Sequence, residues 1–126
     1  MEEKELIKKK LKVSKLEILD KILDKVSNFV RYTEDGEIYF VNPDKLTIIE
    51  KIGLYLIVKN YGYNEGTMKE GHATNRELSD NLMLSLKQVG ARISDLKKSG
   101  YIKTKSRGVH SFFIPKTEKF LNKIKR

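Results

Sequence analysis

The chain has no cysteine and no tryptophan, and only two prolines among its 126 residues. Without cysteine there is no disulfide framework, no thiol nucleophile and no Cys-ligated zinc or iron–sulfur site. The longest apolar stretch, Leu54 to Val58, is far too short to span a bilayer, and the opening MEEKELIKKKLK lacks the apolar centre of a signal peptide. The expectation is a soluble cytoplasmic protein with no membrane partner. Catalytic signatures are missing as well: there is no G-x-x-x-x-G-K-[ST], G-x-G-x-x-G, G-x-S-x-G or H-E-x-x-H. His72 and His110 lie far apart without the spacing of metal ligands, and Pro43-Asp44 with Glu50-Lys51 lacks the E-x-K spacing of a nuclease core. The expectation is therefore no enzyme, no metal and no cofactor.

Acidic residues are scarce in one region only. Residues 83–126 carry twelve Lys and Arg against two acids, Asp95 and Glu118, whereas residues 1–46 carry ten of each sign. The net charge of +9 thus lies entirely in the last third. Clustered cations gain by releasing counterions from phosphates, so the pattern suits a polyanionic partner. Hydrophobic residues make up 39%, enough for a packed core in one domain or one domain with an extension.

Residues 2–12 read as a short polar helix or a loose arm. Ser14-Lys-Leu-Glu17 is a capping box opening a helix whose stripe is Leu16, Ile18, Leu19, Ile22, Leu23 and Val26. Phe29–Tyr32 and Glu37–Val41 alternate like strands around Asp35-Gly36. Thr47-Ile-Ile-Glu50 opens a second helix, about 48–61, which is apolar almost all round and belongs at the centre of the fold. Gly62 to His72 reads as a mobile loop. Thr74 and Ser85 then cap two further helices, the second running to Ser99 with Gly100 beyond it. Tyr101–Lys105 and Ser111–Ile114 are strand-like around Ser106-Arg107-Gly108, and 117–125 closes as a helix through Phe120, Leu121 and Ile124.

Glu77-Leu78-Ser79, Leu84-Ser85, Val89, Arg92-Ile93 and the run Leu96-Lys-Lys-Ser-Gly-Tyr-Ile102 together resemble a winged helix-turn-helix domain of the microbial transcription-regulator type. That resemblance implies an α+β fold, a three-helix core with a β-hairpin wing, in which residues 47–126 form the domain. Residues 1–46 are then an N-terminal helix and hairpin extension. It implies a non-enzymatic protein that binds double-stranded DNA and regulates transcription, with a recognition helix at about 86–99 in the major groove and a basic wing at about 101–114. The sequence departs from the family at Met83, where the turn often carries glycine, and at Gly90-Ala91, which offers no long polar side chain to the bases.

On a helical wheel Leu86, Val89, Ile93 and Leu96 face the core, and Lys87, Gln88 and Arg92 are the candidate groove readers. Asp95 is read as the ion-pair partner of Arg92. Lys98 lies on the same outward arc, Arg76 sits at the start of the preceding helix, and Lys103, Lys105, Arg107 and His110 form the wing's candidate phosphate contacts. The spacing of Leu16, Leu19, Leu23 and Val26 suits a seam with a second copy or completion of the chain's own core. A protein-interaction module, one subunit of a larger assembly, and an RNA or single-strand binder are the rival readings.

Overall fold

Thr47 starts the element around which everything else is arranged. In the computed structural model, which describes residues 2–124, its hydroxyl accepts the Glu50 amide at 3.2 Å and the Glu50 carboxylate accepts the Thr47 amide at 2.9 Å. The helix behind this capping box is the fourth in chain order, α4 (Ile48–Glu65), and it ends at Gly66 in a left-handed conformation. Ile52, Leu54, Tyr55, Leu56, Ile57 and Val58 are all buried, so neighbours must cover α4 on every side.

The N-terminal part supplies one cover. It comprises α1 (Glu2–Leu11), α2 (Lys15–Lys21), α3 (Leu23–Ser27) and an antiparallel hairpin of β1 (Val30–Tyr32) and β2 (Ile38–Phe40), with Val30 opposite Phe40. Leu19, Ile22, Val26 and Val30 join the same hydrophobic cluster as α4. Each such fully buried side chain contributes about 1.5–3 kcal/mol relative to exposure. The expected single helix after Ser14 is broken at Ile22. The Leu19 carbonyl there accepts from the Ile22 amide at 3.3 Å and from the Tyr61 hydroxyl of α4, instead of from the next-turn amide that would continue the helix.

The other covers come from the C-terminal part. β3 (Ala73–Thr74) leads into α5 (Asn75–Leu82) and α6 (Leu86–Lys98); β4 (Ile102–Ser106) and β5 (Val109–Phe112) follow, and α7 (Thr117–Asn122) closes the described chain. The three strands form one antiparallel sheet in the order β3-β5-β4, with a bulge in β4 between Thr104 and Ser106. Tyr101, Phe112 and Phe120 pack as an aromatic trio, and Phe120 reaches α4 because Gly53 has no side chain. The α+β winged helix architecture expected from the sequence is the one observed.

Two local expectations are corrected. Gly62 to His72 is not a loop throughout: α4 continues to Glu65, and buried Met68 folds back over Gly62. Leu86 does not face the core but stands 46% exposed, because α6 enters the hydrophobic cluster only from Val89 onward. No helix among the described residues is long and apolar enough to cross a membrane.

Two glycines of helical conformation respond in opposite ways to an added methyl group. At Gly90 a Cβ would meet open space, whereas at Gly53 it would lie 2.1 Å from the Phe120 ring. Gly90→Ala should raise stability by about 0.5–1 kcal/mol, the helix-interior cost of glycine. Gly53→Ala should lower it by about 1–3 kcal/mol through overpacking. Urea denaturation of the two variants checks both signs.

Candidate nucleic-acid interface

The helix-turn-helix is fixed at three points. Thr74 caps α5 by accepting the Glu77 amide at 3.0 Å, and Ser85 and Gln88 form a reciprocal capping box at the start of α6, both bonds 3.0 Å long. Between them Met83 adopts φ 57°, a left-handed turn without glycine. Bonds around it hold that geometry: the Ser79 carbonyl accepts the Leu84 amide at 3.0 Å, and the Ser79 hydroxyl donates to the Leu84 carbonyl at 2.5 Å. The third point ties α5 to α4. Glu77 accepts the Tyr55 hydroxyl at 2.7 Å and pairs with Lys59 at 3.1 Å, while Asn81 donates to the Tyr55 oxygen at 2.8 Å. Burial, followed by the Glu77 carboxylate, holds the Tyr55 pKa far above its usual value, so the hydroxyl keeps the proton it donates.

This anchoring sets α6 beside the wing and leaves a cleft of about 510 Å3 between them. Gly90, Ser94, Lys97 and Lys98 line it from α6; Thr104, Arg107 and Gly108 line it from the wing, and Asn75 closes one end. Lys97, Lys98 and Arg107 are all exposed, so three cations bound one concave surface that also offers hydroxyl and amide groups. Such a surface suits a phosphate chain.

His110 is the clearest correction to the expected wing. It is only 4% exposed, with Nε2 2.9 Å from the Asn75 side-chain oxygen and Nδ1 3.0 Å from the Thr104 hydroxyl. Since that Asn75 oxygen can only accept, Nε2 carries the proton and Nδ1 accepts from Thr104. Burial, and secondarily Lys97, lowers its pKa, which favours the neutral ring. It is a tie between β4, β5 and the start of α5 rather than a free cation at the tip.

The two wing lysines lie apart from the cleft. Ile102 pairs with Phe112 and Thr104 with His110, which puts these four on the inner face, whereas Lys103 pairs with Ser111 on the outer face. Lys105 lines a separate hollow with Lys69, His72 and Ser111, and Lys103 sits 4.8 Å from the centre of the Phe113 ring. Of the other expected residues, Arg76, Lys87 and Gln88 are exposed. Gln88 is occupied by the cap it forms with Ser85, and Arg92 is paired with Asp95 at 3.1 Å, as read from their spacing. Of the expected N-terminal seam, Leu19 and Val26 are buried in the core, while Leu16 and Leu23 remain about half exposed.

The sequence reading missed Asn75, Ser94, Lys97 and Thr104. Their signal was present: Gly90, Ser94 and Lys97 recur at helical spacing on one flank of α6, and Thr104 alternates with Lys103 and Lys105 along the strand. Among the described residues no cluster of His, Asp and Glu is arranged to hold a metal.

A helix pair joined by a tight turn, set on a central helix and flanked by a β-hairpin, defines the winged helix-turn-helix class. Residues 68–103 match the family described as winged helix-turn-helix DNA-binding. The match covers β3, α5, α6 and the start of β4. No curated protein and no solved structure matches the chain.

The state of His110 makes stability depend on pH with a defined sign. Its folded pKa is lowered from 6.5, so the unfolded chain takes up the proton first on acidification. The stability supplied by the neutral ring is complete above about pH 6.5 and is lost as the pH falls toward the folded-state value. His110→Gln should be less stable at neutral pH yet lose less between about pH 7.5 and about pH 5.5 than the parent chain. Denaturant midpoints at the two pH values measure this.

Proposed function

We propose that the chain is a non-enzymatic, cytoplasmic regulator of transcription that binds duplex DNA through α6 and the wing. The observation that carries this reading is the cleft of Lys97, Lys98 and Arg107, which lies against a segment of the DNA-binding family. α6 enters the major groove with Lys87 foremost, and the adjoining phosphate backbone runs into the cleft. Arg76 supplies a further phosphate contact. Lys103 and Lys105 act at longer range from the wing's outer face. Two copies joined through the exposed Leu16 and Leu23 edge would offer two recognition helices to two half-sites.

Base reading is sparse in this arrangement. Gly90 and Ala91 lack hydrogen-bonding side chains, Arg92 is engaged by Asp95, and Gln88 is engaged by its cap. One or two bidentate contacts discriminate by roughly 1–3 kcal/mol each. Binding is thus mainly electrostatic, with a preferred site favoured about 10- to 1,000-fold over random duplex.

Fluorescence anisotropy with labelled duplex across a salt series tests the reading. The parent chain should bind with affinity that falls steeply as salt rises. Replacing Lys97, Lys98 and Arg107 together by alanine should flatten the log–log slope by up to about three units. Replacing Lys103 and Lys105 should change it by about one unit or less. Absence of salt-dependent duplex binding by the parent chain overturns the reading in favour of a protein-interaction module, and stronger binding to single strands or RNA overturns the duplex assignment.

A further inference from the structure

Helix α1 buries none of its residues, and Leu6, Ile7 and Leu11 on it are 54, 51 and 76% exposed. These three side chains fall within an arc of about 140°. A ten-residue helix with no packed face is marginal in water, so its apolar face calls for a partner. Lys12–Ser14 separate α1 from α2, and Ser14 sits in an extended conformation, its hydroxyl accepting the Glu17 amide.

An apolar groove of about 410 Å3 lies open elsewhere on the N-terminal part, between α2, α3, β1 and the last turns of α4. Its walls include Leu16, Leu19, Leu23, Val26, Val30 and Val58. Its charged liners are Asp20, Glu65 and Arg31, and Arg31 is held to the Ser27 carbonyl through Nε at 2.9 Å. Glu65 already accepts the Thr67 amide at 2.9 Å, and Arg31 keeps its charge, so the groove carries two carboxylates against one cation and is acidic by one unit. Helix α1 carries Lys4, Lys8, Lys9 and Lys10 against Glu2, Glu3 and Glu5, a net charge of +1, with its acids in the first turn and Lys8, Lys9 and Lys10 in the last. One chain therefore presents an uncovered apolar helix with basic residues in its last turn and an uncovered apolar groove of opposite net charge.

We propose that the groove receives α1 from a second copy of the chain, and that the exchange is reciprocal. Leu6, Ile7 and Leu11 of each copy enter the other's groove, with lysines facing Asp20 and Glu65. The contact is isologous, so each dimer makes it twice. This gives the pairing suggested above a specific geometry; it rests on that pairing and not on any contact with DNA.

Sedimentation equilibrium of the full chain, with circular dichroism of every variant, tests the exchange. The parent chain should show twice the chain mass at micromolar concentration. Ile7→Lys with Leu11→Lys alters only exposed residues, so the fold outside α1 should persist while the mass falls to that of one chain. Leu16→Lys with Leu23→Lys alters the groove and should do the same. Mixing the two variants should restore a weaker heterodimer, held by the single contact in which the intact α1 of one variant enters the intact groove of the other. A parent chain that stays monomeric overturns the proposal. If such a monomer loses thermal stability on the Ile7 and Leu11 changes, α1 covers its own groove instead. A dimer that survives those changes also overturns the exchange, while leaving a pairing by some other surface. The salt-dependent duplex measurement is read separately, so its failure is distinguishable from each of these outcomes.

Discussion

The whole molecule follows from one helix that has no polar side. α4 buries residues around its full circumference, and a helix of that kind is stable in water only inside a sheath. α2, α3 and β1 form one part of the sheath, α5 and α6 another, and the wing with α7 the remainder. Leu19, Ile22, Val26 and Val30 of the N-terminal segment are therefore part of the core, whereas α1 buries none of its residues. Where α4 does carry polar atoms, they are used as anchors: Tyr55 fixes α5 through Glu77, and Tyr61 donates to the Leu19 carbonyl.

What the sequence made legible was local. Caps at Ser14, Thr47, Thr74 and Ser85 depend on residues three positions apart, and each hydroxyl accepts its amide as the spacing implies, although the reciprocal half of the box forms only at Thr47 and Ser85. The ion pair of Arg92 and Asp95 is equally local. The misreadings involve partners distant along the chain. At the break at Ile22 a tyrosine of α4 donates to the Leu19 carbonyl, and the enclosure of His110 depends on Asn75 and Thr104 arriving from different elements. A helical wheel places Leu86 with Val89, Ile93 and Leu96 but does not contain how far along α6 the packed neighbours extend, and Leu86 lies beyond them.

The interface shows the same division. Charge counting located the basic third of the chain but treated its cations as one set. Strand pairing separates them into an inner group around the cleft and an outer group on the back of the hairpin. His110 holds those two groups in register. Its ring lies on the inner face and bonds on both sides, to Asn75 and to Thr104.

The Gln88 cap has a further thermodynamic consequence. Its side-chain oxygen is one acceptor with two competing uses, closing the first turn of α6 or receiving an adenine amino group. A bidentate contact with that base would draw the oxygen from the Ser85 amide, a bond worth about 0.5–1.5 kcal/mol, while the Ser85 hydroxyl would still accept the Gln88 amide. That sum is comparable to what one good base contact returns. Under the function proposed above, selectivity at this position would be linked to fraying of the helix: whatever loosens the first turn, including warming, would lower the threshold for reading the base. The free helix is then most rigid where it is least discriminating.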